Sequence, residues 1–458
     1  MCGIAFSNER ATTDAMLERL GHRGKDARVV KSFVSHATGL GGFLGHNRLA
    51  IVDLTDAGLQ PLETAQSIIG FVGEIFNYEA IYKGLQLHHR VPCNEIHTLE
   101  YLLREHEQFD RILDGYYAIV RIDKSAQTIT LARDLIGVVP LYYRSKAGLF
   151  QVASEKKAFD APGAREVMPG ETLVFDFRGR RLKRRCFDPY SLHLEDMDLD
   201  HLGFLFRRAV CRRVTHSEKP VCVALSGGLD SSMVLKAAVE VAGPEALHAI
   251  TVCVDADSEE VSNAQRFARL LGVPHKVVSV GATEIEQHRD AILYHLEDHR
   301  QNPIKYGAMI RNYFTAMHAP GTVVLCGEGA DEIGCGYPSH RRCARFSIEL
   351  EWKSLSTLRS MHAINLDRVN KGGMAFTKEF RTPFLDRSLV LYLMGCAKSP
   401  NKGWFRELCR HQLEIPEYIL NKPKYTSEES CLWQMVEGWS GQAPHKPSLL
   451  GGFCHPLA

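Results

Sequence analysis

Residues 221–234 read VCVALSGGLDSSMV, and this stretch decides the fold. Its first part, 221–225, is apolar and favours a buried β-strand, while the residues from Met233 onward have the apolar spacing of a helix. Between them lies SGGLDSS at 226–232, where two adjacent glycines allow backbone angles that other residues avoid. The serine hydroxyls and the N–H groups that open the helix make a site for phosphate. No lysine closes the loop, so it is not the GxxxxGK[ST] P-loop, and an ordinary Gly/Ser turn is the alternative.

Length and composition favour a globular chain with more than one core. The protein has 458 residues, of which 45% are hydrophobic and 24% charged, and its formal net charge is +1. That charge argues against a nucleic acid or an acidic membrane surface as an obligate partner. The 13 cysteines are odd in number and lack CxxC spacing, so neither a disulfide framework nor a structural zinc site is expected. We expect a cytoplasmic protein without a signal peptide or a membrane helix.

A change of pattern near residue 190 predicts two domains, 1–190 and 195–458. Many short strands around few helices predict stacked sheets in the first domain, an α+β architecture. Alternation of strand and helix in the second predicts a parallel sheet covered on both faces, with ligand at the carboxyl ends of its strands. The predicted strands are 5–6, 42–45, 49–52, 67–72, 116–121, 128–132, 141–143 and 172–175, then 221–225, 247–254, 275–279 and 322–326. The predicted helices are 13–20 and 97–106, then 199–213, 231–241, 258–271, 283–298 and 305–317, with a largely helical region after 340.

The N-terminus carries a candidate nucleophile. If the initiator methionine is removed, Cys2 combines a thiol with its own α-amine, whose pKa of about 8 suits a base for that thiol. Alone, Cys2 is weak support for catalysis, since a buried or incidental cysteine is the more common case. Five downstream motifs occur in the order and spacing of the class II, N-terminal-nucleophile glutaminases: GHRG at 21–24, GHNRLAIVD at 45–53, GEIFN at 73–77, RDLIG at 133–137 and ASEKK at 153–157.

With SGGLDSS following these motifs, the whole chain resembles the glutamine-hydrolysing asparagine synthetase family. The resemblance implies a glutaminase-like domain of the N-terminal-nucleophile hydrolase type, then an ATP-pyrophosphatase (PP-loop) α/β domain with a helical C-terminal part. It also implies that Cys2 attacks the side-chain amide of glutamine, Arg48 pairs with the glutamine carboxylate, and the Gly73 N–H stabilises the oxyanion. Glu74 completes the glutamine-binding set.

Two departures from the family pattern predict a weak glutaminase. Val72 stands where the family has an asparagine whose amide is the second oxyanion donor, and losing one such donor costs about a hundred- to a thousandfold in turnover. Shortly before Glu95, where the family has an aspartate that holds the glutamine ammonium group, this chain instead has Pro92, Cys93 and Asn94. The valine is equally compatible with a different amide donor, and the sequence does not separate the two interpretations.

The resemblance assigns a nucleotide site to the second domain. The implied ATP-binding residues are Leu225, Ser226, Gly227, Gly228, Asp230, Ser231 and Ser232, together with Val252 and Gly327. The acidic run at 255–260, beyond Val252, either borders this site or is an ordinary helix N-terminal run. The segment EFRTPFLD at 379–386 matches a further family motif, which we expect to form a helix-breaking turn at the margin of the site.

A second stretch, CGEGADE at 326–332 and ending near Gly336-Tyr337, resembles a further family motif that carries the implied catalytic acids. Glu328 is the candidate base for the proton that an attacking amine loses. Asp331 and Asp230 are the implied magnesium ligands, since Mg²⁺ favours hard oxygen donors. Lys424, in KPK at 422–424, would neutralise charge on the α-phosphate and the leaving pyrophosphate. The alternative for the acids of this motif is that they are solvated and cap a helix. The alternative for Lys424 is that it belongs to a basic surface run.

The resemblance therefore implies an ATP- and Mg²⁺-dependent ligase that adenylates a carboxylate, by default aspartate, and captures ammonia from glutamine. Glu328 together with Cys2 favours amide formation between two molecules over the ring closure of the related β-lactam synthetases. Lys25 replaces a proline of the family pattern, so a specialised amide synthetase with another carboxylate or amine is an alternative. A second alternative is that the chain is a non-catalytic binding or regulatory paralogue. The pattern leaves the oligomeric state open, a homodimer included.

Overall fold

A computed structural model describes residues 1–35, 38–88, 90–146, 148–190, 194–297, 303–343 and 347–421. Lys424, one of the predicted catalytic residues, lies outside this part of the chain. None of the described helices combines the length and the apolar character that crossing a bilayer requires.

The first domain consists of two stacked antiparallel sheets with helices on the outside. Its strands are β1 (Gly3–Ser7), β2 (Ala27–Val34), β3 (Gly41–Arg48), β4 (Leu62–Glu63), β5 (Ser67–Ile75), β6 (Gly115–Asp123), β7 (Thr128–Arg133), β8 (Tyr142–Lys146), β9 (Leu149–Ala153), β10 (Arg165–Glu166), β11 (Glu171–Asp176) and β12 (Arg181–Cys186). Its helices are α1 (Arg10–Arg19), α2 (Tyr78–Gly84) and α3 (Glu95–Glu105). The sheet orders are β10-β8-β9-β1-β3-β2 and β12-β11-β7-β6-β5-β4.

Strand β5 explains why the sheets stack in this way. Its even residues Ile68 and Val72 belong to the core between the sheets, and its odd residues Ile69 and Phe71 pack against the outer helices. Because successive side chains of a strand point to opposite faces, a continuous apolar run is buried on both sides. The strand therefore lies inside the domain, with one sheet below it and α3 above it.

The second domain is a five-stranded parallel sheet with helices on both faces. Its strands are β13 (Val221–Ala224), β14 (Leu247–Cys253), β15 (His275–Ser279), β16 (Val323–Leu325) and β17 (Glu379–Arg381), in the order β15-β14-β13-β16-β17. Its helices are α4 (Leu199–Thr215), α5 (Leu229–Ala242), α6 (Glu259–Leu270), α7 (Ala282–Gln287), α8 (Arg289–Leu296), α9 (Pro303–His318), α10 (Ala330–Ile333), α11 (Pro338–Cys343), α12 (Ser347–Met361), α13 (Asp367–Met374), α14 (Arg387–Gly395), α15 (Gly403–Leu408) and α16 (Glu417–Leu420). Val223 packs in the core that contains α4 and α5, whereas its neighbour Cys222 packs against α9 and α13 on the opposite face. The predicted fold class is confirmed in both halves.

Three predicted elements are wrong. The apolar run 49–52 is not a strand but an irregular segment after β3. The single helix predicted at 283–298 is two helices, α7 and α8. The predicted turn at 379–386 begins as β17, and a short 3-10 helix, Pro383–Leu385, follows it.

Strands β2, β4, β9, β10 and β12 of the first domain were not predicted. β12 has the sequence RLKRRC and is mostly exposed, so the signal of a buried strand is missing there. It lies at the edge of its sheet, where a charged strand is stable because only one neighbour pairs with it.

Candidate active site

The loop between β13 and α5 is shaped by its own serines and glycines. The Ser226 N–H donates to Ser231 Oγ at 3.0 Å, and the two hydroxyl oxygens are also 3.0 Å apart. Gly227 has φ +74, and a Cβ at this position would clash with the carbonyl oxygen of Glu260. Gly228 is the N-cap of α5, so the first N–H groups of the helix open onto the loop. This arrangement offers N–H groups and hydroxyls to an anion.

The sheet register brings two further predicted residues to the same edge. Val252 lies two positions beyond Ile250, which pairs with Ala224, and Gly327 lies two positions beyond Leu325 on the other neighbouring strand. Both therefore flank the end of β13, where the Leu225 N–H donates to the Ile250 carbonyl at 2.8 Å. A Cβ at Gly327 would lie 2.8 Å from the Cβ of Asp230, so the two loops are in close contact.

A lysine that the sequence analysis missed joins the two predicted metal ligands. Lys402 Nζ lies 2.7 and 2.6 Å from the carboxylate oxygens of Asp230 and 2.7 Å from Asp331 Oδ1. Burial opposes the charge of Lys402, but the two carboxylates outweigh it and raise the pKa of the ammonium group. Two carboxylates that share one cation are a donor set that suits Mg²⁺.

Glu328 also has partners from the helical region. Its Oε1 lies 2.9 Å from Arg368 Nη2, and its Oε2 accepts a hydrogen bond from Asn365 Nδ2 at 3.2 Å. The same amide donates to Glu332 Oε1 at 3.1 Å. Burial, with the neighbouring Glu328 and Asp331, raises the pKa of Glu332 to about 7. The candidate base therefore lies in a cluster of acids that one arginine partly neutralises.

A cleft of about 530 Å³ in the first domain contains all four predicted glutaminase residues: Cys2, Arg48, Gly73 and Glu74. Antiparallel pairing of Gly3 with Asn47 places Cys2 opposite Arg48. Gly73 has φ +128, and a side chain there would clash with the neighbouring strand β6. The register of β1 and β3, with the conformation of Gly73 in β5, thus brings these four residues to one cleft.

The Cys2 thiol lies against the irregular segment after β3. Its Sγ accepts a hydrogen bond from the Leu49 N–H at 3.3 Å, and burial raises the pKa of the thiol to about 11. The N-terminal amine belongs to Met1 and lies 2.8 Å from Glu379 Oε2. In this arrangement the amine is a partner of that carboxylate rather than a base for the thiol.

Two positions singled out by the sequence contribute no charge to the cleft. Val72 is fully buried in the core between the sheets and is not part of the cleft wall. Asn94 Nδ2 donates to Asp53 Oδ2 at 2.8 Å, and its Oδ1 caps α3 at the N–H of His97. Arg48 is anchored by the carbonyl oxygens of Thr55, at 2.8 Å, and of Asp53.

A buried charge network connects the cleft with the second domain. Arg381 of β17 lies 3.0 Å from Glu74 Oε1 and 2.8 Å from Glu379 Oε1. Burial opposes ionisation of Glu379, but the N-terminal amine and Arg381 outweigh it and lower its pKa to about 2. Burial raises the pKa of Glu74, the other partner of Arg381, to about 7.

His216, after α4, completes this network. Its Nε2 lies 3.0 Å from Glu74 Oε2 and 3.2 Å from Glu95 Oε1. Burial disfavours its charged form, but hydrogen bonds with the two carboxylates outweigh burial and raise the pKa of His216 to about 10. One ligand atom from each of these three residues lies within 4.8 Å of the others, a spacing that a metal ion could use. Because Arg381 already contacts Glu74, ion pairing accounts for the cluster.

Lys402, Arg368, Arg381 and His216 are the charged residues that sequence reasoning missed. Arg381 falls inside the 379–386 motif, so the sequence drew attention to its position. The motif did not indicate which residues Arg381 would contact. The other three stand outside every motif that the sequence analysis used. Their partners come from distant parts of the chain, so only the tertiary structure shows them.

Comparisons with known proteins match both halves of the chain. Residues 1–176 match a family described as glutamine amidotransferase domain, and residues 201–354 match asparagine synthase. Asparagine synthetase [glutamine-hydrolyzing] 2 of Lotus japonicus is 31% identical over 92% of this chain and 74% of its own length. The Arabidopsis thaliana protein of the same name is 29% identical over 97% of this chain and 81% of its own length. A solved glutamine phosphoribosylpyrophosphate amidotransferase from B. subtilis aligns with a TM-score of 0.35 and 17% identity, over 60% of this chain and 65% of that chain.

Proposed function

This chain belongs to the glutamine-hydrolysing asparagine synthetase family, and from that membership we propose that it forms an amide from a carboxylate, ATP and ammonia derived from glutamine. We assign residues 1–190 to glutamine hydrolysis and residues 195–458 to ATP-dependent synthesis. The observation that carries the proposal is the pairing of two sites in one chain. One is the cleft around Cys2, and the other is the loop 226–232, which we call the phosphate loop, beside Asp331 and Glu328.

In the synthetase site, the loop 226–232 binds the phosphates of ATP through its N–H groups and hydroxyls. A substrate carboxylate, by default aspartate, attacks the α-phosphorus, and pyrophosphate leaves. Ammonia then attacks the acyl carbon of the adenylate, AMP leaves, and Glu328 accepts the proton that the new amide loses. Arg368, 2.9 Å from Glu328, keeps this carboxylate in position.

Asp230 and Asp331 would hold Mg²⁺ in this site, because their carboxylates already share one cation in the structure. When bound, Mg²⁺ would supply positive charge to the leaving pyrophosphate. Lys424, outside the described residues, is proposed to support the same charge.

In the first domain, Cys2 attacks the side-chain amide of glutamine once Met1 is removed and the Cys2 amine is free. Arg48 binds the glutamine carboxylate, the Gly73 N–H stabilises the oxyanion, and Glu74 attracts the ammonium group. The amide of Gln60 is our candidate for the second oxyanion donor. Its side chain lines the cleft and accepts a hydrogen bond from the Phe71 N–H at 2.7 Å through Oε1, which leaves Nε2 available.

Strand β17 links the surroundings of the two sites. Glu379 lines the Cys2 cleft and stands on β17, which pairs with β16 next to Glu328. We propose that ammonia crosses the domain interface beside Glu379 and Arg381.

We place the protein in the cytoplasm, where a reducing environment suits the free thiols found at every described cysteine.

Pyrophosphate release from ATP tests the proposal directly. The purified protein is incubated with ATP, Mg²⁺ and a panel of carboxylates, first with ammonia and then with glutamine as the nitrogen source. We expect release with aspartate or a close analogue and a much lower rate with glutamine than with ammonia. Cys2→Ala should abolish only the glutamine-dependent rate, and Glu328→Gln should slow both. No pyrophosphate with any carboxylate would show that the chain is not a synthetase.

A further inference from the structure

Lys402 lies on a segment that the fold holds in an unusual conformation. Both Asn401 and Lys402 have left-handed backbone angles, φ +59 and +58, which L-residues seldom adopt. The Lys402 N–H donates to the Gly334 carbonyl at 2.9 Å, and the Asn401 N–H donates to the Cys335 carbonyl at 3.0 Å. These contacts place the Lys402 side chain beside the phosphate loop.

The opposite wall is also adapted to this lysine. Gly336 lies four residues after the CGEGADE motif, and a Cβ there would clash with both Asp331 Oδ1 and Lys402 Cε. Only a glycine therefore leaves room for the ion pair. Lys402 is buried, with 7% of its surface exposed, although its ammonium group carries a full charge.

A metal ion and this ammonium group compete for one position. Mg²⁺ binds carboxylate oxygens at about 2.0–2.1 Å. Lys402 Nζ lies 2.6 Å from Asp230 Oδ2 and 2.7 Å from Asp331 Oδ1, so it occupies the space between the two carboxylates. Two cations cannot share that space, because their repulsion at such separations is large in a buried site.

We propose that Lys402 holds Asp230 and Asp331 in place while no metal is bound, and that it becomes a phosphate-binding residue when a divalent cation takes the two carboxylates. A buried ammonium group that leaves one anion needs another. Asp230 belongs to the loop SGGLDSS, so the released ammonium group remains beside the proposed phosphate site. Lysine binds phosphate as a compact point charge with three donors. The inference rests on the proposed nucleotide site.

The first measurement is the affinity for Mn²⁺ alone, read by electron paramagnetic resonance on the full-length protein without nucleotide. Lys402→Met removes the competitor, and we expect Mn²⁺ to bind at least about tenfold more tightly, a factor typical of one charge-assisted contact. Lys402→Arg retains a cation and should stay near the wild-type affinity. Unchanged or weaker Mn²⁺ binding by Lys402→Met would overturn the proposal.

Lys371 offers a matched control. Its Nζ also bridges two carboxylates, Glu297 and Asp367, each at 2.7 Å, and it is buried as deeply. It stands apart from the phosphate loop, on α13. Lys371→Met should destabilise the protein in a similar way but leave Mn²⁺ affinity unchanged. Thermal unfolding verifies that both variants are folded, and Lys402→Gln replaces the methionine variant if that protein unfolds.

The second measurement is binding of inorganic pyrophosphate in the presence of Mn²⁺, by calorimetry. We expect Lys402→Met to weaken it about tenfold and Lys371→Met to leave it unchanged. Equal pyrophosphate affinity in wild type and Lys402→Met would contradict the phosphate-binding role. Neither measurement needs turnover. A wild-type protein without synthetase activity would therefore contradict the proposed function, while the role of Lys402 could still be tested.

Discussion

Replacing Arg381 by methionine tests whether the buried charge network holds the two domains together. The guanidinium group is fully buried, 2.8 Å from Glu379 and 3.0 Å from Glu74. It also donates to the carbonyl oxygens of Arg213 and His216, at 2.9 and 2.6 Å. Methionine preserves most of the side-chain volume but supplies none of these donors.

The expected loss follows from what remains in the variant. Two buried carboxylates lose a shared cation, and breaking a buried pair by removing one partner costs about 3–5 kcal/mol. Arg184→Met is the control, because Arg184 contacts Glu171 at 2.6 Å but is 57% exposed. Exposed pairs of that kind contribute about 0–1 kcal/mol. Arg381→Lys, which retains the charge without the planar fork, should fall between the two.

Urea unfolding, followed by circular dichroism and tryptophan fluorescence, measures the difference. We expect the unfolding midpoint of Arg381→Met to fall well below those of the wild type and Arg184→Met. If its free energy of unfolding lies within about 1 kcal/mol of the Arg184→Met value, the ion pairs do not stabilise the interface and the reasoning is refuted. Ammonia-dependent pyrophosphate release, measured in parallel, shows whether the synthetase half survives the change.

Three further substitutions give distinct outcomes. Gly227→Ala should lower the free energy of unfolding by about 1–3 kcal/mol through backbone strain at φ +74, and its Cβ should also clash with the backbone. Calorimetry should show no ATP binding by this variant. Gly228→Ala, at φ −93, should be tolerated. Glu332 has its folded-state pKa raised from 4.5 to about 7, so its contribution to stability is present below pH 4.5 and lost as the pH rises to 7. The urea unfolding midpoint of the wild type should therefore fall over this pH range, and that of Glu332→Gln should lack this decline. His216 has its folded-state pKa raised from 6.5 to about 10, so its contribution is present below pH 6.5 and lost as the pH rises to 10; His216→Gln should lack this decline, and an identical slope in both proteins would contradict the ion-pair assignment.

Local sequence was sufficient to locate the contiguous parts of the candidate site in the fold. The phosphate loop joins a short apolar strand to a helix, and both the residue types and the turn are readable over a dozen positions. The same holds for Glu328 and Asp331, which follow β16 directly. Sheet register then brings these loops together without further specification, because parallel strands end at one edge.

Sequence reasoning failed where a residue's role depends on a distant partner. Lys402 is one lysine in a helical region, and nothing near it in sequence indicates Asp230, 172 positions away. The run 49–52 failed for another reason: its apolar residues fit a strand, but the chain leaves β3 at Arg48 and lies against the Cys2 thiol instead. Periodicity cannot distinguish an apolar strand from an apolar cleft wall.

Strand β17 sits at the border of the parallel sheet, yet its side chains Glu379 and Arg381 are covered by the first domain, and Tyr116 donates to Glu379 at 3.1 Å. An open sheet border invites association with other chains when its cover is taken away. Expressing the second domain without the first should therefore yield a C-terminal fragment that aggregates. A chimera built with a foreign glutaminase module would have to bring its own equivalents of Glu74 and Tyr116 to stay soluble.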